Sequence, residues 1–111
     1  FFAMERRTAG ALQDDRALAR DAVCYRTRAV HASTGSFAIT IVNISAQGLM
    51  ARCDVALAEG ERIDVTLPVA GQVSAKVRWS LGGRIGCELD HIIGLSDYFS
   101  ALTEMLKARP R

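Results

Sequence analysis

The 111-residue chain is 50% hydrophobic and 23% charged, a balance that fits one globular domain and excludes a disordered or low-complexity polymer. Its formal net charge of +2 is too small to predict general nucleic-acid binding, and no apolar run approaches the roughly 20 residues that a spanning helix needs. Cys24, Cys53 and Cys87 form no CxxC pair and match neither a zinc site nor a disulfide framework, so they read as small buried hydrophobes with free thiols, suited to a reducing cytoplasm.

Residues 1–21 read as a mobile N-terminal arm without a convincing hydrophobic period. The opening "FFAM" is too short for a secretory signal and meets "ERR" at once, and Met4 stands as a candidate natural start. The arm is cationic. Of the fourteen basic residues twelve are Arg, and six of these (Arg6, Arg7, Arg16, Arg20, Arg26 and Arg28) fall in the first 28 residues. Glu5, Asp14, Asp15 and Asp21 leave that segment at +2, while the rest of the chain carries eight charges of each sign.

From residue 22 the period becomes two, the spacing of a strand with one covered face. "AVCYRTRAV" sets Tyr25, Thr27 and Ala29 against Arg26, Arg28 and Val30. "HASTGS" is a turn. "FAITIVNIS" is dense in β-branched residues and predicts a strand covered on both faces. "GLMARCDV" predicts a third strand and "RIDVTLP" a fourth. "QVSAKVRWSL" alternates best, with Val73, Ala75, Val77 and Trp79 expected inward. The "GG" at 82 and 83 is a hairpin signal, and "RIGCELD" closes the series. Then the period lengthens. Ser96 is the expected N-cap of a helix whose Leu95, Tyr98, Phe99, Leu102, Met105 and Leu106 fall at helical spacing, with Pro110 as its stop. The expectation is an all-β, six-stranded antiparallel barrel over residues 22–111, with one amphipathic C-terminal helix packed on it.

Catalytic equipment is sparse. His31 and His91 are isolated and read as turn or surface residues, and no nucleophile elbow, P-loop or HExxH is present, so an enzyme is not expected. Two short patterns stand out. Arg16 and Arg20 form RxxxR just before the first strand, and "NISAQG" at the end of the second reads as [DN]xSxxG through Asn43, Ser45 and Gly48. Each alone is weak, since solvated helix faces and strand-to-turn junctions favour such residues.

Together, in this order and spacing, they resemble the PilZ domain family, whose members bind cyclic di-GMP. The strand "VSAKVRW" and the glycine in "IGCEL" extend the likeness over roughly residues 16–90. The resemblance implies a six-stranded barrel of the PilZ split-barrel type and a cyclic di-GMP receptor, with Arg16, Arg20, Asn43, Ser45 and Gly48 as its ligand-binding residues. Arginine suits two phosphates and two guanines, because its fork clamps a phosphate or the guanine O6/N7 edge and stacks on a base. Asn43 offers a carbonyl to guanine N–H groups, and Ser45 one further hydrogen bond. Gly48 permits a positive φ or a close backbone approach. Asn43 stands where the family more often has Asp, which gives up about 1 kcal/mol of charge-assisted bonding.

Arg26 and Arg28, beside the arm, are auxiliary candidates for a positive wall. The resemblance further implies an arm that orders on the ligand and a downstream protein partner, in a cytoplasmic bacterial signalling module, monomeric or homodimeric, with no metal or cofactor. The rival on the same fold is a protein-interaction adaptor that does not bind the nucleotide. A barrel for single-stranded nucleic acid is disfavoured, because aromatics are 6% of the chain and Trp79 is expected inward.

Overall fold

The computed structural model describes residues 20–108. Six strands, β1 (Asp21–His31), β2 (Gly35–Ile44), β3 (Gly48–Arg52), β4 (Arg62–Leu67), β5 (Gly71–Leu81) and β6 (Arg84–Leu89), precede one helix, α1 (Leu95–Lys107). All strand pairs are antiparallel, and the order β1-β2-β3-β6-β5-β4 closes on itself as a barrel. The expected barrel and C-terminal helix are therefore present. Asp21, placed in the arm from sequence, opens β1, and β3 stops at Arg52 instead of running to Val55.

The chain forms two three-stranded meanders, β1-β2-β3 and β4-β5-β6. They meet along two lines. One joins β3 to β6 through five residue pairs, and the other joins β1 to β4 through only three, Ala29↔Val65 to His31↔Ile63. Short turns hold each meander. Gly82 and Gly83 adopt φ of 62° and 79°, which a two-residue hairpin of the primed type requires. His31 Nδ1 accepts from the backbone N–H groups of Ser33 and Thr34, so this histidine fastens the β1–β2 turn.

Alternation fills the interior with Phe37, Ile39, Ile41, Leu49, Ile63, Val65, Ala75, Val77 and Ile85. Helix α1 lies against one end of the barrel through Tyr98, Ala101 and Met105, all buried. Its first residue follows Gly94, not Ser96, because the Tyr98 N–H reaches the Gly94 carbonyl at 2.8 Å. The expected packing stripe is only half used: Leu95, Phe99 and Leu106 remain about half exposed. No helix among the described residues is long and apolar enough to cross a membrane.

Candidate functional site on the outer barrel wall

Directly opposed residues of an antiparallel sheet share a face. Tyr25, Ile41, Ala51 and Ile85 form one such row across β1, β2, β3 and β6, pointing inward. The next row toward the helix end is Ala22, Asn43, Met50, Gly86 and Trp79 on β5. The register shifts between these two rows in β1, between Ala22 and Tyr25, and in β2, between Ile41 and Asn43; a third shift, between Val77 and Trp79 in β5, lies on the far side of the Trp79–Gly86 pair. An extra residue in a strand reverses the facing of everything beyond it. Strict alternation from Phe37 would turn Asn43 into the core, and strict alternation from Val73 would do the same to Trp79. The bulges turn both outward.

Trp79 is thus a correction to the sequence expectation. It is 41% exposed, and its indole lies flat over Gly86 on the outer wall. A Cβ at Gly86 would run into the Trp79 ring, so the glycine makes room for it. A glycine inside a strand marks such a close approach, and it is the one signal in the sequence for where the ring lies.

The two motifs meet at this row. Arg20, the residue before β1, donates from Nη1 to Asn43 Oδ1 at 3.0 Å across 23 residues of chain. The Asn43 amide N–H₂ in turn points at Met50 Sδ, 3.7 Å away. The amide thereby aims the guanidinium along the wall. Ser45 is 3% exposed, and its hydroxyl is spent on the turn: Oγ accepts from the N–H groups of Gln47 and Gly48, both at 3.2 Å, and lies 3.4 Å from the Gly48 carbonyl. The Ser45 N–H also donates to that carbonyl at 2.8 Å. Such a local hydroxyl-to-backbone turn fixes the corner from which β3 departs.

Gly48 does not adopt a positive φ. It is required by proximity, because a Cβ there would lie 2.5 Å from the Cys87 carbonyl oxygen of β6. Of the two roles open to Gly48 in the sequence, the structure uses the close approach, and the backbone approached is the protein's own.

Arg20, Ser45, Gly48 and Trp79 line one hollow of about 270 Å³, joined by Arg78 and Glu88. Arg78 Nη1 and Glu88 Oε1 form an exposed ion pair at 3.4 Å. Sequence reasoning missed both residues. Arg78 is the bulge residue before Trp79, and nothing in its local sequence announces that.

A buried link runs from the hollow to the helix. Tyr98 donates from its hydroxyl to Asp21 Oδ2 at 2.6 Å and lies 3.0 Å from the Ile44 carbonyl. Burial first, then the hydrogen bond and negative charge of Asp21, push the Tyr98 phenol well above its ordinary range, against the opposing pull of Arg20. Asp21 follows Arg20 directly, so α1 is tied to the residue beside the clamp.

Arg26 and Arg28 lie elsewhere. Arg26 pairs with Thr40 and Arg28 with Ala38, farther along β1, and Arg28 Nε donates to Ser36 Oγ at 2.8 Å. Neither lines the hollow that holds Arg20. Arg16 lies outside the described residues. Cys53 and Cys87 are buried and Cys24 half-buried, and all three are free thiols. Burial, with the neighbouring Cys53 adding to it, raises the Cys87 thiol to about 12, which makes it a core residue and no nucleophile. No cluster of three or more His, Cys, Asp or Glu side chains among the described residues has the geometry to hold a metal ion.

A family model described as "PilZ domain" matches residues 14–103. No curated protein matches the chain.

Proposed function

The chain belongs to the PilZ domain family, and from that premise we propose that it is a cyclic di-GMP receptor module that binds the nucleotide on the outer wall around Arg20 and Trp79. The observation that carries the reading is the 3.0 Å hydrogen bond by which Asn43 of one motif orients Arg20 of the other, beside an exposed indole. Cyclic di-GMP presents flat guanines and anionic phosphates. Trp79 offers a rigid ring face for stacking, worth roughly 1–3 kcal/mol per base. Arg20 offers a two-pronged donor to a phosphate or to guanine O6/N7, and Arg78 supplies a second cation. Arg16 joins them from the arm. Ser45 and Gly48 act by holding the β2–β3 corner and the β3–β6 approach that set the wall's shape.

The signal leaves through α1. When Arg20 turns from Asn43 to a ligand, Asp21 moves with it, and Asp21 is the hydrogen-bond partner of Tyr98. The module is a binding protein of the bacterial cytoplasm, and a protein partner reads the changed arm and helix.

Calorimetry with cyclic di-GMP tests the reading. The wild type should bind saturably. Arg16→Ala, Arg20→Ala and Trp79→Ala should each lose about tenfold or more, the effect of one charge-assisted bond or one stacked base. A silent wild type would overturn the reading and leave the adaptor on the same fold.

A further inference from the structure

Two residues farther along the same outer wall, another outward row crosses four strands: Arg26, Thr40, Arg52 and Arg84. The three arginines are exposed, and none forms an ion pair with any described residue. Arg52 and Arg84 are directly opposed, an arrangement of like charges that weakens a sheet. The other side of the barrel is neutralised. On β4, β5 and the end of β6, Arg62 pairs with Asp90 and Arg78 with Glu88, and Lys76 stands opposite Glu88. Strands β1, β2 and β3 together carry Arg26, Arg28 and Arg52 against one acid, Asp21, whose carboxylate is engaged by Tyr98.

The row is also concave. Arg26, Thr40 and Arg52 line a hollow of about 480 Å³, with Ile39 in its floor and the Gly82–Gly83 hairpin at its side. Neighbouring strands lie about 4.8 Å apart, so Arg26 and Arg52 flank Thr40 symmetrically at roughly 10 Å from each other. Two guanidinium forks can then converge on one group above the Thr40 hydroxyl. No aromatic side chain lines the hollow, so it offers a base no stacking face. Asp54 is the one carboxylate in the lining, and it disfavours an anion on its side of the hollow. A pocket with two forks and a hydroxyl suits a compact tetrahedral anion better than a flat protein surface.

We propose that the Arg26–Thr40–Arg52 hollow is a second binding site, distinct from the Arg20–Trp79 hollow, for a phosphoryl group of a small phosphorylated molecule, with Arg84 and Arg28 as flanking cations. The inference does not depend on cyclic di-GMP binding. The two hollows share no lining residue.

The test titrates the full chain with inorganic pyrophosphate at low ionic strength, followed by calorimetry and by phosphorus NMR. Saturable binding is expected. Arg26→Ala and Arg52→Ala should each weaken it about tenfold, and Arg52→Lys should do so nearly as much because the fork is lost while the charge remains. Lys107→Ala, remote from both hollows, should leave it unchanged. Equal losses from Lys107→Ala would reduce the effect to net charge and overturn the proposal. So would absence of saturable binding, tighter capture of a polyglutamate peptide than of pyrophosphate, or a loss of cyclic di-GMP affinity in Arg52→Ala without any pyrophosphate binding, which would make the row an extension of the first site.

Discussion

Gly48→Ala separates a glycine kept for the ligand from a glycine kept for the barrel. The backbone at Gly48 lies outside the positive-φ region, so alanine meets no conformational penalty there. Its Cβ would stand 2.5 Å from the Cys87 carbonyl oxygen, about 0.9 Å short of an ordinary 3.4 Å contact. The obstacle is backbone in the middle of a sheet, so relief requires β3 to move away from β6 at the Gly48↔Glu88 pair. Overpacking of this kind costs about 1–3 kcal/mol, and one strained or lost ladder hydrogen bond adds about 0.5–1.5 kcal/mol. The expected loss is therefore about 2–4 kcal/mol in urea unfolding followed by circular dichroism. Gly86→Ala is the companion. There the added methyl meets the Trp79 side chain, which can swing into solvent, so stability should fall by less than about 1.5 kcal/mol while the indole fluorescence shifts. If Gly48→Ala unfolds at the wild-type urea concentration, the steric argument is wrong.

Tyr98→Phe removes the hydroxyl from Asp21 and should cost about 1.5–3 kcal/mol, the worth of a hydrogen bond to a charged group; an unchanged urea midpoint would deny that the link is held in solution. Asn43→Ala should leave stability within about 0.5 kcal/mol, since its bond to Arg20 is exposed, yet weaken cyclic di-GMP by several-fold in calorimetry because the fork loses its guide. Alkali should destabilise the barrel through Cys87. Its thiol is raised from 9.0 to about 12 in the folded state, so the unfolded chain ionises first. Stability is full below about pH 9 and falls as pH rises toward 12, by at most about 1.4 kcal/mol per pH unit. Cys87→Ala should flatten that limb of a thermal-melt series.

Strand number and antiparallel order were legible because a period of two runs through most of the barrel, broken by the bulges in β1, β2 and β5, and the turns carry Gly-Gly or Ser-Thr-Gly clusters. Arg20 and Asn43 were legible as a pair because both sit in short patterns of fixed spacing. What alternation could not show was which way residues face beyond a bulge. One extra residue carries no residue-type marker, yet it decides that Trp79 is surface and Asn43 is beside Arg20. The role of Ser45 was equally hidden, since a serine that closes a turn and a serine that offers a hydroxyl look alike in a string of letters. The half-exposed stripe of α1 was overread as core because helical spacing identifies an apolar face and not what covers it.

The line where β3 meets β6 gives the clamp a kinetic meaning. Arg20, Asn43, Ser45 and Gly48 belong to the first meander, and Arg78, Trp79 and Glu88 to the second. The hairpins within each meander close over short loops, whereas β3 finds β6 only after the intervening chain has folded back, the slow, non-local step of a β topology. The wall that holds Arg20 beside Trp79 therefore exists only while the two meanders are joined. A nucleotide gripped from both sides is a reversible cross-link between them, so its occupancy should be written in the unfolding rate as well as in an equilibrium constant.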